Sequence, residues 1–397
     1  MRRYKNPYTP KAFWFLAIVV VLELVVVFRP LSALTPRVSS LSASSGPAAS
    51  LPWPAYGQSA LGAQSFGVLA THGSQTAVPI ASVAKVITAL AVLQKKPLDV
   101  GQPGPNLTLS QADVDSYHSY ASQNGSVIPV TVGEQISERQ ALEAMMLPSA
   151  NNMADTLATW AFGSVKNYSD FANDMVKTLG LSQTHVVDAS GFSPSTVSTA
   201  QDLVKLGLAA LGNQTLAGVV NEPQAILPIA GTVYNTNFWL GRDGVIGIKT
   251  GDTDQAGGCY LFATKKVVQN QSLTIVGAVV GAADLNVALN DGRSLANASS
   301  QGFTTVTAVK TGQTAAVYTS AWGAQATAVA QKDLSLLVWK GQTINLKIDA
   351  KNLRPPINSQ ATAGSIKATS PSASTSTNLV IRTALPKPSI FWRLLHP

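Results

Sequence analysis

The segment Ile80-Ala81-Ser82-Val83-Ala84-Lys85-Val86-Ile87-Thr88-Ala89-Leu90 constrains this chain more than any other stretch. It is apolar except for a hydroxyl and an ammonium three residues apart. On a helix, positions i and i+3 share a face, so Ser82 and Lys85 meet there. The residues that follow are apolar on nearly every side, which predicts a helix buried in a core. A lysine drawn into such a core loses hydration, and its pKa falls toward the range where it accepts a proton. A serine hydroxyl is a weak nucleophile until a neighbouring base helps it. Taken alone, however, an S-x-x-K pattern is common by chance.

Two further stretches change that reading. Ser149-Ala150-Asn151 follows a helical pattern from Ile136 to Leu147 and the breaker Pro148, and Lys249-Thr250-Gly251 follows the apolar run Val245 to Ile248. They lie 67 residues beyond Ser82 and a further 100 residues on. The combination S-x-x-K, S-D-N and K-T-G marks class A β-lactamases and penicillin-binding proteins; here alanine replaces the aspartate of the middle motif. By itself the S-x-N pattern reads equally as the cap of a following helix.

With these motifs in order, the chain resembles the serine-type D-alanyl-D-alanine carboxypeptidases, the low-molecular-mass penicillin-binding proteins, over roughly residues 55 to 305. Asp243 to Gly251 with Ala256-Gly257, and Asp188-Ala189-Ser190-Gly191 with Ser198 to Leu203, are similar to that family's segments. The resemblance implies an α+β fold, an antiparallel sheet with helices, and peptidoglycan stem peptides as substrate, with β-lactams as inhibitors. It implies no cofactor and no metal. Ser82 is then the nucleophile, Lys85 its general base and Ser149 the proton relay to the leaving D-alanine. Asn151, Lys249, Thr250 and Gly251 would bind substrate, and the backbone N–H groups of Ser82 and Asp252 would form the oxyanion hole. Asp252 departs from expectation, because its carboxylate adjoins developing negative charge: either it points away or turnover suffers.

Alternatives on the same fold are a β-lactamase-type hydrolase, a D,D-endopeptidase and a non-catalytic wall-binding protein. The first is disfavoured because Glu222, the one glutamate between Asn151 and Lys249, lacks the context of a deacylating base. The complete set of Ser82, Lys85, Ser149 and Lys249 argues against the last. A second triplet, Lys310-Thr311-Gly312, reads as a chance hairpin turn. The four histidines, His72, His118, His185 and His396, show no metal spacing. A triad through His118 or His185 lacks a G-x-S-x-G elbow. Cys259, the single cysteine, permits no intrachain disulfide and reads as a small core residue.

The remaining organisation is read from composition. A chain of 397 residues with 46% hydrophobic and 12% charged residues is long enough for two domains and is not disordered. Its net charge of +8 is dispersed, without runs of basic and aromatic residues in the body, so nucleic-acid binding gains no support. Residues 1–12 read as a basic cytoplasmic tail. Residues 13–28 read as a signal anchor that holds the protein in a membrane with the rest outside; secretion after cleavage is the alternative. Glu23 aside, that run is apolar, and its 16 residues cover about 24 Å against a hydrocarbon core of about 30 Å. Residues 29–55 read as a linker, 56–304 as the catalytic domain and 305–388 as a small all-β domain. The amphipathic tail 389–397 has two readings, membrane contact or packing on its own domain. Thr108 to Val130 is expected to be surface loops around a cleft.

Overall fold

The computed structural model describes residues 10–396, in two compact units. Ala48–Thr304 form one; residues up to Pro47, together with those from Thr305 onward, form the other.

The first unit is built on a five-stranded antiparallel sheet in the order Val245–Thr253, Gly257–Val268, Gln271–Ala282, Gln58–Ala63 and Gly67–His72. Its central strands carry long apolar runs because helices cover both faces, and alternate residues must be apolar on each. Tyr260 and Phe262 face the helix Leu285–Ala298, which comes so close that a Cβ on Gly292 would lie 2.4 Å from Tyr260. Leu261 and Val276 face the helix Ala200–Gly212, where Gly207 allows a similar approach. Runs of apolar and β-branched residues at 66–72, 245–250, 258–264 and 273–280 each fall on a strand of this sheet. Gln58–Ala63 was not expected. Its Gln-Ser-Ala-Leu-Gly-Ala sequence has little β preference, and burial on all sides holds it in place.

The helical half surrounds Lys85–Lys95, which packs against Asn151–Phe162, Val165–Thr178, Ala200–Gly212 and Glu138–Met146. Ser137 caps the last of these with Gln140 in a capping box. One expectation fails here. The stretch expected as loops, 108–130, contains a helix, Gln111–Ala121, capped by Ser110 and Asp113. Only Val114 and Tyr117 pack on the core and no residue is buried completely, so its apolar stripe is too short to stand out in the sequence.

The second unit is a seven-stranded sheet in the order Arg37–Val38, Thr314–Thr319, Gln325–Ala330, Ser374–Ile381, Thr362–Thr369, Thr343–Ala350 and Ala43–Ser44. Both edges come from the segment expected to be a linker. Arg37–Val38 pairs with Val317 and Ala316, and Ala43–Ser44 with Ile344 and Thr343. Two-residue edge strands leave no alternation to read, which is why the segment resembled a linker.

At the ends of this unit, Pro10–Phe28 is helical and apolar; among the described residues no single helix is long and apolar enough to cross a membrane. Ile390–Leu395 forms the short helix expected of the tail. Its Arg393 donates to the carbonyls of Val27 at 2.6 Å and Arg29 at 2.9 Å, so the tail packs on its own unit. Ile390, Phe391 and Leu395 remain exposed.

Candidate active site

Ser82 lies on a 3₁₀ turn, Ala81–Ala84, that runs directly into the helix beginning at Lys85. This corrects the expected α-helical setting while keeping its consequence, because side chains at i and i+3 eclipse one another in a 3₁₀ helix. The Lys85 side chain is completely buried. Its Nζ lies 2.8 Å from Ser82 Oγ, 2.6 Å from Asn151 Oδ1 and 2.9 Å from the Ser190 carbonyl oxygen.

These three neighbours determine what the amine can do. A neutral lysine has two N–H donors and one lone pair. Asn151 Oδ1 and the Ser190 carbonyl are acceptors only, so they take both donors. The lone pair is then directed at the Ser82 hydroxyl. Burial favours that neutral state by holding Lys85 well below the usual lysine range, and the charge of Lys249 adds to the effect; Asp188 and Asp155 oppose it.

The strand Val245–Thr253 brings the third motif to the same place. Lys249 is 1% exposed, its Nζ donates to the Thr250 carbonyl at 3.1 Å, and burial pushes its pKa down to about 7. The Thr250 and Thr236 hydroxyls are 2.7 Å apart. Gly251 lies flush against the Ser82 turn: a Cβ there would be 2.9 Å from Ser82 N and 3.2 Å from the Ile80 carbonyl oxygen. Asp252 points away from the reacting centre, its carboxylate accepting from Leu285 N at 3.2 Å at the start of the next helix.

Ser149 occupies the turn between two helices with φ of 68°, a left-handed conformation imposed on a non-glycine residue. Its hydroxyl is buried and, among the described residues, has no hydrogen-bond partner. Asn151 opens the next helix and reaches Lys85, so it contributes through its side chain and does not merely cap. A cleft of ≈ 690 Å³ opens above Ser82, lined also by Gly125, Asn151, Phe192 and Asp252.

The structure therefore gathers Ser82, Lys85 and Asn151 by direct contact, with Gly251 and Asp252 at the same cleft and Lys249 near enough to act on Lys85 by charge. Sequence reasoning missed Ser190, whose contribution is a backbone carbonyl and leaves no residue-type signal. It also missed Thr236, a lone threonine with no motif around it. Lys310-Thr311-Gly312 takes no part; it sits on a turn of the other unit.

The model of the D-alanyl-D-alanine carboxypeptidase family matches residues 59–283, more than half of the chain. The chain belongs to that family. It is a serine-type D-alanyl-D-alanine carboxypeptidase. A D-alanyl-D-alanine endopeptidase of Pseudomonas aeruginosa is 31% identical to this carboxypeptidase over 255 residues, which span 61% of the chain and 77% of the relative. The crystal structure of the Streptomyces K15 DD-transpeptidase superposes with a TM-score of 0.57 at 26% identity, covering 63% of this carboxypeptidase and 98% of that chain. Penicillin-binding protein 5 of Haemophilus influenzae, at 17% identity, shares the fold with a TM-score of 0.58 over 88% of this chain and 99% of its own.

Proposed function

We propose that the carboxypeptidase works through an acyl-enzyme on Ser82. The observation that carries this reading is the Lys85 cage, in which two carbonyl-type acceptors leave the amine lone pair only the Ser82 hydroxyl. Lys85 takes that proton as Oγ attacks the carbonyl of the terminal D-alanyl-D-alanine peptide bond. The backbone N–H groups of Ser82 and Asp252 hold the oxyanion. Ser149 passes a proton to the departing D-alanine nitrogen as the C–N bond breaks and takes one in turn from the Lys85 ammonium, which leaves Lys85 neutral again. Water, deprotonated by Lys85, then hydrolyses the ester and frees Ser82. Lys249 supplies charge and Thr250 a hydroxyl for the substrate's free carboxylate, and the absence of a side chain at Gly251 lets the peptide lie along the strand edge.

The substrate class is the peptidoglycan stem peptide, and β-lactams react as slow covalent inhibitors. The apolar run 13–28 behind a basic tail supports membrane attachment with the catalytic unit outside the cytoplasm. The endopeptidase of Pseudomonas aeruginosa among the relatives favours a second use of the same acyl-enzyme, cleavage of cross-links.

The test is release of D-alanine from a synthetic pentapeptide and, in parallel, conversion of a cross-linked dimer of stem peptides into monomers. Ser82→Ala is expected to lower turnover of either by at least about 10³-fold and to abolish labelling by a fluorescent penicillin. Equal release by wild type and variant rejects the assignment.

A further inference from the structure

The loop 187–196 offers the Ser190 carbonyl to Lys85, and one carboxylate holds that loop in shape. Asp188 Oδ2 accepts from the Ser190 hydroxyl at 2.8 Å, from Phe192 N at 3.0 Å and from Ser193 N at 3.4 Å. Its Oδ1 accepts from the Thr196 hydroxyl, whose own oxygen accepts from Val187 N at 3.1 Å and Asp188 N at 3.3 Å. Asp188 is half-buried, and Ser190 and Thr196 are buried completely. Hydrogen bonds to an ionised acceptor are roughly twice as strong as those between neutral groups, so such a bend is firmly held.

The bend has a direct consequence at the base. In an extended chain neighbouring carbonyls point to opposite sides. Here the Ala189 carbonyl accepts from Thr88 Oγ1 at 2.6 Å and the Ser190 carbonyl from Lys85 Nζ at 2.9 Å, so both face one helix, Lys85–Lys95. The chain must turn to achieve this, and the bonds from Asp188 across to Phe192 and Ser193 close the turn. Gly191 follows with φ of 75°, and a Cβ there would lie 1.9 Å from the Ala81 carbonyl oxygen, so the loop is seated on the turn that carries Ser82. Ser190 thus joins two hydrogen bonds through its own covalent frame. Its hydroxyl donates to Asp188, and its carbonyl accepts from the base.

We propose that Asp188 is a positioning residue of the reaction: by holding Ser190 it keeps that carbonyl on Lys85, and so keeps the amine lone pair on the Ser82 hydroxyl. The proposal rests on the acyl-enzyme reading above. A neutral amine that loses the Ser190 acceptor has one N–H without a partner. That N–H turns to Ser82 Oγ, the remaining oxygen in reach at 2.8 Å, and the lone pair then points elsewhere. Proton transfer slows although the amine is still neutral. The charge of Asp188 works in the other sense, because it favours the ammonium form of Lys85. A role through charge alone therefore predicts faster acylation once the carboxylate is removed, and a role through Ser190 predicts slower.

The experiment measures the rate constant for acylation of the full chain by a fluorescent penicillin, with kcat and KM for a pentapeptide alongside. Ser190→Ala removes the hydroxyl bonded to Asp188 and leaves every backbone group in place, including the Phe192 and Ser193 bonds to Asp188. It is expected to lower the acylation rate constant severalfold while KM changes little. Asp188→Ala releases the whole bend and is expected to lower that constant by about 10²-fold. The double variant is expected to be no slower than Asp188→Ala, because both residues act through one contact. Ser190→Ala at the wild-type rate overturns the proposal, as do faster acylation in Asp188→Ala and a double variant whose losses multiply. A lower Tm for Asp188→Ala with an unchanged rate makes the carboxylate a tie of the fold alone, and also overturns it. Should Asp188→Ala not fold, Ser190→Ala decides by itself, slowed or unchanged. Wild type that takes no label at Ser82 refutes the acyl-enzyme reading, a different result from labelled variants with unmoved rates.

Discussion

The chain carries the tripeptide Lys-Thr-Gly twice, and the two copies have little else in common. At 249–251 it lies in a sheet strand covered by helices, with Lys249 and Thr250 buried and Gly251 pressed against the nucleophile turn. At 310–312 it forms an exposed turn. Lys310 N and Thr311 N donate to Gln313 and Asp333, and a Cβ on Gly312 would meet no atom within 4 Å. Burial lowers the Lys249 pKa to about 7. The Thr311 hydroxyl and N–H stabilise the exposed Asp333 carboxylate, a local effect of the turn. Three identical side chains acquire chemistry only where water has been removed and a second element packs against them.

Paired substitutions sharpen this contrast. The largest difference is expected at the glycines. Gly251→Ala drives a methyl group into Ser82 N and the Ile80 carbonyl, and a displacement of about 1 Å at a nucleophile costs roughly 10² in kcat/KM. Gly312→Ala changes no rate; its φ of 77° costs about 1–2 kcal/mol, read as a Tm lower by several degrees. A Gly251→Ala enzyme with wild-type turnover breaks the comparison.

Next come the lysines. Lys249→Met removes the proposed charged partner of the substrate carboxylate, worth about 1.5–3 kcal/mol, or roughly 10–150-fold in kcat/KM. It also removes a pH limb. Below about 7 Lys249 is an ammonium and binds the carboxylate; as pH rises through that value the charge and the affinity are lost, so wild-type KM climbs. In the variant KM is high and flat across the same range. The smallest effect belongs to Lys310→Met, with kinetics unchanged and stability within about 0.5 kcal/mol of wild type. A basic limb that persists in Lys249→Met assigns the titration to another group.

How far the sequence could be read follows the range of the forces involved. The Lys85–Lys95 helix was legible because it is apolar on every side. The strands beyond Val245 were legible because their apolar runs are long. The Gln111–Ala121 helix escaped because its apolar face is little more than Val114 and Tyr117, and polar contacts to Thr156 and Asp155 hold the rest. The strand Gln58–Ala63 and the edge strands at 37–38 and 43–44 escaped because their partners, not their own residues, make them strands. At the site, the triple motif singled out Ser82, Lys85, Asn151 and Gly251, which the fold brings together. The Ser190 carbonyl and the Thr236 hydroxyl were unreadable in advance.

From the sequence alone came the pairing of Ser82 with Lys85, since three residues of continuous chain put them in reach whatever surrounds them. It also determined that Lys85 would be buried, because the flanking residues are apolar throughout. Only the tertiary structure decided which atoms occupy the other two positions around Lys85 Nζ, and hence where its lone pair points. Those atoms come from residues 66 and 105 positions away, and contacts across such distances depend on how whole elements pack, which no local pattern encodes.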